Sequence, residues 1–161
     1  MRVVNNRIPV LGLMGIALAA TPMAASAKNT MAINAEVQQN CNLFVTPMMF
    51  GTVSIIFPQA NAQSTLTIDC TPFTAYSIAM DDGLNYNGQR RMARMAGGNL
   101  YLNYEIYRDA ARTQRWGQTG GALVSGVAPA NGKVTLQAYG RTTGFLAIGA
   151  YEDTVTVTIS F

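Results

Sequence analysis

The stretch Thr154-Val155-Thr156-Val157-Thr158-Ile159-Ser160-Phe161 decides the fold class. Hydroxyl and apolar residues alternate over eight positions, the period-2 pattern of a strand with one wet and one buried face. Threonine, valine and isoleucine are also the β-branched types that pleated sheets favour. Val155, Val157, Ile159 and Phe161 share the inward face. The sequence stops at Phe161, on the core side of its strongest strand. With no strand after it, a row of backbone donors and acceptors is expected to stay open, and such an edge is a hazard unless it is covered.

Working back along the chain, the same period recurs. Val134, Leu136 and Ala138 alternate after an Asn131-Gly132 turn, and Leu100, Leu102, Tyr104 and Ile106 alternate up to Arg108-Asp109. Tyr76, Ile78 and Met80 run into Asp81-Asp82-Gly83, a strong turn signal. Ser64 to Cys70 alternates through Leu66, Ile68 and Cys70. Phe50 to Ile56, between Pro47 and Pro58, reads as a further strand. Met92 to Met95 reads as a short helical turn or an edge strand, and Gly117 to Pro129 as an exposed loop. No window holds a long helical stripe. Turns recur about every ten residues, the spacing of an immunoglobulin-like sandwich.

At the other end of the chain lies a second alternating segment. Thr30 to Val37 places Met31, Ile33, Ala35 and Val37 on one face and Thr30, Ala32, Asn34 and Glu36 on the other. A spare strand here and an open edge at residues 155–161 are complementary. Pairing within one chain gives a closed monomer, and pairing between chains gives a polymer. Residues 30–37 can equally be read as the domain's own first strand, and the pattern does not choose among the three.

Residues 1–27 read as a secretory signal peptide. Arg2 and Arg7 make a basic start, Val10 to Ala20 an apolar core, and Ala25-Ser26-Ala27 a small-x-small cleavage site. The apolar run is too short for a membrane span, so no span is expected once the leader is removed. Cleavage leaves 134 of the 161 residues. Without Arg2 and Arg7 there are nine cations against eight anions, a net of +1, so no nucleic-acid partner is indicated. The two cysteines, Cys41 and Cys70, both lie in the exported part, where an even count reads as one disulfide. The loop it closes would contribute about 3–4 kcal/mol in the chain-entropy model.

Chemistry for catalysis is not legible. The chain has no His, which excludes His-based triads and His metal sites. No cofactor or metal site is expected, and the protein reads as a non-enzyme. Asp81-Asp82 reads as a solvated turn, and Arg90, Arg91 and Arg94 as a solvated basic face. Tyr101, Tyr104, Tyr107 and Trp116 suit packing, although loops near Trp116 leave a glycan-binding module as an alternative. Tyr151 followed by Asp153 suggests a tyrosine corner.

Several motifs occur together in one order. They are Met49-Phe50-Gly51-Thr52-Val53 after Cys41, Leu66-Thr67-Ile68-Asp69-Cys70-Thr71, Ile78-Ala79-Met80-Asp81-Asp82-Gly83, and Arg90-Arg91-Met92. Leu102-Asn103-Tyr104-Glu105-Ile106-Tyr107-Arg108-Asp109 and Trp116-Gly117 follow, and Gly149-Ala150-Tyr151-Glu152-Asp153-Thr154-Val155 closes the set. With a leader and a cysteine pair, this series resembles the spore coat protein U domain family, which includes the archaic, Csu-type chaperone–usher pilins. The resemblance implies an all-β, incomplete immunoglobulin-like β-sandwich that lacks its last strand and is completed by donor-strand exchange. It divides the chain into a leader at 1–27, a donor-strand extension at 28–38 and a pilin-like domain at 39–161. It implies Met31, Ile33, Ala35 and Val37 as donor residues and Val155, Val157, Ile159 and Phe161 as the acceptor groove. Implied partners are a periplasmic chaperone, an outer-membrane usher and neighbouring subunits, and the implied destination is a surface fimbria serving adhesion or biofilm. A spore-coat or extracellular-matrix protein, or a single-domain secreted adhesin, is the alternative.

Overall fold

The computed structural model of the protein describes residues 29–57, 59–144 and 147–161. The leader expected at 1–27 lies outside the described residues. Residues 29–36 have no regular secondary structure and every one is exposed, whereas residues 37–161 form a compact unit.

That unit is built from β1 (Cys41–Val45), β2 (Asn61–Cys70), β3 (Ala75–Met80), β4 (Arg91–Arg94), β5 (Tyr101–Tyr107), a 3-10 turn (Gly120–Ala122), β6 (Val124–Val127), β7 (Lys133–Thr143), β8 (Tyr151–Glu152) and β9 (Val157–Ser160). Six strands order as β1-β2-β7-β5-β4-β8 and three as β6-β3-β9. Every pairing is antiparallel. Alternation along β2, β3 and β5 sends Leu66, Ile68, Ile78, Met80, Tyr104 and Ile106 into one buried cluster fed by both sheets. The fold is thus an immunoglobulin-like sandwich, as expected from the strand spacing, and an incomplete one, as the family resemblance implies.

The ladder between β2 and β7 runs without interruption from Asn61↔Arg141 to Asp69↔Lys133. β1 joins its other side with Cys41 opposite Cys70, and the two sulfurs are bonded. Trp116 is buried and its indole N–H donates to the Ile78 carbonyl at 3.0 Å. It therefore ties a loop to β3 and offers no platform for a sugar.

Several expectations change. Phe50 to Ile56 is not a strand but irregular chain, with Ile55 and Ile56 exposed. β-propensity reports fit to a neighbouring strand, and among the described residues no strand pairs with this stretch. Residues 91–94 form a strand rather than a helical turn, but not an edge one, since β4 pairs with β5 on one side and β8 on the other. The expected loop at 117–129 contains β6. Arg90 is not on a solvated face. Its side chain is fully buried, donating to the carbonyls of Met80 (3.1 Å) and Asp81 (2.9 Å) and to the Glu105 carboxylate. Burying a guanidinium is tolerated only when its donors are satisfied in this way. Arg115 bridges the same Glu105 to Asp82, so the Asp81-Asp82-Gly83 turn is part of an ion network.

Candidate functional site: a groove between two open strand edges

Residues 151–160 cross from one sheet to the other. β8 pairs with β4 in the large sheet, and β9 pairs with β3 in the small one. Between them, the Thr154 carbonyl accepts from Leu84 N–H (3.1 Å) and the Thr156 carbonyl accepts from Asp81 N–H (3.0 Å). Thr156 N–H donates to Asp81 Oδ1 at 2.9 Å. The backbone of the even-numbered residues therefore faces β3. Strand alternation turns the N–H and C=O of Val155, Val157 and Ile159 the other way. Among the described residues no strand pairs with that side of β9.

The opposite wall is the end of β1 and the segment after it. Thr46 N–H donates to the Thr65 carbonyl (3.0 Å) and Ser64 Oγ donates to the Thr46 carbonyl (2.5 Å). Pro47 has no N–H to continue a ladder. Past it, Met48 and Phe50 fold inward onto the core, and the Phe50 ring meets Tyr104 edge-on at 6.2 Å. Gly140, on β7 beneath them, leaves the room: a Cβ there would overlap Met48 Sδ and the Phe50 ring.

Between the two walls lies a cavity of about 580 Å³. Val45, Met48 and Phe50 line one side and Tyr151 to Val155 with Val157 the other, over a floor of Met80, Met92, Tyr104, Ile106 and Ala138. A second cavity of about 570 Å³ shares Met48, Phe50, Met92 and Tyr151 and extends the trough toward Ile55 and Ile148. Two hydrogen-bonded devices hold the 151–157 wall. Tyr104 Oη donates to Asp153 Oδ2 (2.7 Å), whose other oxygen accepts from Asn85 N–H (3.2 Å) and Nδ2 (2.9 Å). Burial, and then the bond to this carboxylate, push the Tyr104 phenol far above its ordinary value, so it stays a donor. Gly83 is required beside them, since it turns at φ 83 and a Cβ would strike Asp153. The expected tyrosine corner is present, with Tyr151 Oη donating to the Ala147 carbonyl at 2.8 Å.

Of the four residues expected to form an acceptor groove, Val155 and Val157 line the cavity, Ile159 is half-buried against the core beside it, and Phe161 is exposed. The whole Val45–Phe50 wall is missing from the sequence reading. The signal that could have found it is Pro47 interrupting an apolar run directly after β1. Met31, Ile33, Ala35 and Val37 are all exposed. No cluster of His, Cys, Asp and Glu suited to a metal occurs among the described residues, nor any helix long and apolar enough to cross a membrane.

The Spore Coat Protein U domain model matches residues 27–158. Thirteen chains of solved structures match this fold. One belongs to the crystal structure of the CsuC–CsuE chaperone–tip adhesion subunit pre-assembly complex from archaic chaperone–usher Csu pili of Acinetobacter baumannii. It shares 26% identity at a TM-score of 0.63, over 78% of this chain. This chain spans 40% of that one's length. Comparison with curated protein sequences returns no match.

Proposed function

Because the chain belongs to the Spore Coat Protein U domain family, we propose that it is a structural subunit of a chaperone–usher surface pilus, polymerising by donor-strand complementation. The observation that carries this reading is the trough between residues 45–50 and 151–157, with unpaired backbone along one wall and an apolar floor. The occupant is the 31–37 segment of another copy. Its backbone would pair with Val155, Val157 and Ile159, and Met31, Ile33, Ala35 and Val37 would point at the floor, the β-augmentation mode of recognition. Met31, Ile33 and Val37 are each more than four-fifths exposed, and full burial of such a side chain contributes roughly 1.5–3 kcal/mol. Neither role needs a catalytic group.

The same groove would be open to a periplasmic chaperone's strand before assembly, with an outer-membrane usher catalysing the exchange. The leader, the disulfide and the crystallised chaperone complex of the similar Csu subunit support that route. Export through the periplasm to a surface fibre, serving attachment or biofilm, follows from it.

The test compares the mature protein with and without residues 28–38. The full mature chain is expected to form oligomers that resist sodium dodecyl sulfate. The truncated form is expected to need a peptide of residues 29–38, gaining about 2.7 kcal/mol at a hundredfold excess over Kd. A truncated domain that is stable, monomeric and indifferent to the peptide would show that strand exchange is wrong.

A further inference from the structure

The sandwich has two ends, and both carry exposed apolar side chains, those of one end standing at the mouth of the trough. At one end β1 begins, β2 finishes and β9 runs out. Here Phe73 stands in the turn between β2 and β3, 71% exposed, with Val127 exposed nearby. Phe73 is held at φ 64, a conformation unusual for an aromatic residue, by its N–H donating to the Ala128 carbonyl at 2.9 Å. Strain of this kind persists where the surroundings impose it, and it marks functional sites. At the other end, where β2 begins and β8 lies, Met49, Ile56 and Ile148 are 79%, 76% and 81% exposed.

The chain leaves the domain at the Phe73 end, and it is pinned there. The Asn40 carbonyl accepts from Thr71 N–H (2.8 Å), Asn40 N–H donates to Thr71 Oγ1 (3.1 Å), and Thr71 Oγ1 reaches the Gln38 carbonyl at 3.5 Å. Val37 to Cys41 spans at most about 14 Å even when fully extended. If Val37 sits in a neighbour's groove, the Phe73 end of its own domain lies beside the mouth of that groove.

Orientation decides which mouth. Residues 151–160 run from the Ile148 end to the Phe73 end. A donor parallel to them would bring Val37 out at the neighbour's Phe73 end, where the neighbour's own extension also leaves. Two copies would then close on each other in a two-fold dimer. An antiparallel donor brings Val37 out at the Ile148 end, a head-to-tail contact that repeats without closing.

We infer that the Phe73 turn of one copy docks on the Met49–Ile56–Ile148 end of the next. The partner is a second copy of this chain. The inference rests on the strand-exchange reading and adds that the joint is a stiff apolar contact, not a hinge. Both patches, which on a lone domain are liabilities, are buried by it.

The test places a benzophenone at the turn, as Phe73→p-benzoylphenylalanine in the full mature chain, and irradiates the assembled polymer. Cross-links to residues 49–57 or 147–151 of the neighbour are expected. Cross-links to residues 71–74 or 127–133 of the neighbour overturn the docking, as does a detergent-resistant ladder with no cross-link, and either leaves strand exchange standing. Absence of any ladder overturns both. Phe73→Asn supplies the second measurement, because Asn tolerates positive φ and spares the fold. The ladder is expected to persist while fibre persistence length, read by electron microscopy, falls at least twofold. An unchanged length speaks against the contact.

Discussion

The β2–β7 ladder and the 153–161 edge are built from similar residues and end in opposite conditions. Along β2, threonines and glutamine face out, Leu66 and Ile68 face in, and strands pair on both sides. Along 153–161, threonines face out and Val155, Val157 and Ile159 face in, but only the β3 side is paired. The alternation is as clean in one as in the other. What differs is the neighbour, and a strand's worth is set by what lies beside it. The ladder spends its pattern on stability, while the edge keeps half of its pattern available.

The largest effect should come from the ladder. Leu66 is fully buried, opposite Leu136 on β7 and Val45 on β1. Leu66→Ala removes buried methyl groups and leaves a cavity, at a cost of about 2–5 kcal/mol. Urea unfolding of the truncated domain checks this, and the loss should be the same with and without donor peptide. A loss that shrinks when the peptide is present would mean that the ladder is not independent of the edge.

A smaller effect, of the opposite kind, is expected from Val157→Ala. Val157 is half-buried and lines the cavity, so the free domain should lose only about 1 kcal/mol. Filling the groove covers Val157, and the mutant should then bind the 29–38 peptide about tenfold more weakly, or about 1.4 kcal/mol. Titration calorimetry on both variants separates the two numbers. Equal losses with and without peptide would erase the distinction between edge and ladder.

How much of this was legible follows the same line. β2, β3, β5, β7 and the inward set at 155–159 could be read because each keeps strict alternation, a local property. The disulfide could be read from cysteine count and compartment. The Val45–Phe50 wall could not: Pro47 breaks the run after β1, and Met48 and Phe50 face the core only because Gly140 on a distant strand leaves room. The burial of Arg90 was equally hidden, since its partners are carbonyls at residues 80 and 81 and a carboxylate at 105. Apolar Phe50 to Ile56 misled for the converse reason, having β-forming composition but no strand paired beside it among the described residues.

The smallest effect concerns Asp81, a side chain bonded to the edge's inner side. Asp81 Oδ1 accepts from both Thr156 N–H (2.9 Å) and Gly83 N–H (3.0 Å). Burial raises the Asp81 carboxyl, but the hydrogen bonds from Thr156 and Gly83 and the charge of Arg90 outweigh it, and its pKa lies below the ordinary value. A carboxyl depressed in the folded state stabilises fully above its unfolded value and loses that contribution as pH falls through the folded one. The window is therefore acid, below about pH 4. In that window the Thr156 amide should lose hydrogen-exchange protection, corrected for intrinsic rate, while the Leu66 amide keeps its own. Asp81→Asn retains an acceptor for both N–H groups without the charge, so its Thr156 protection should be lower at neutral pH and flat through the acid range. A Thr156 amide whose protection falls in acid equally in both proteins would place the acid sensitivity elsewhere and leave Asp81 as a plain turn residue.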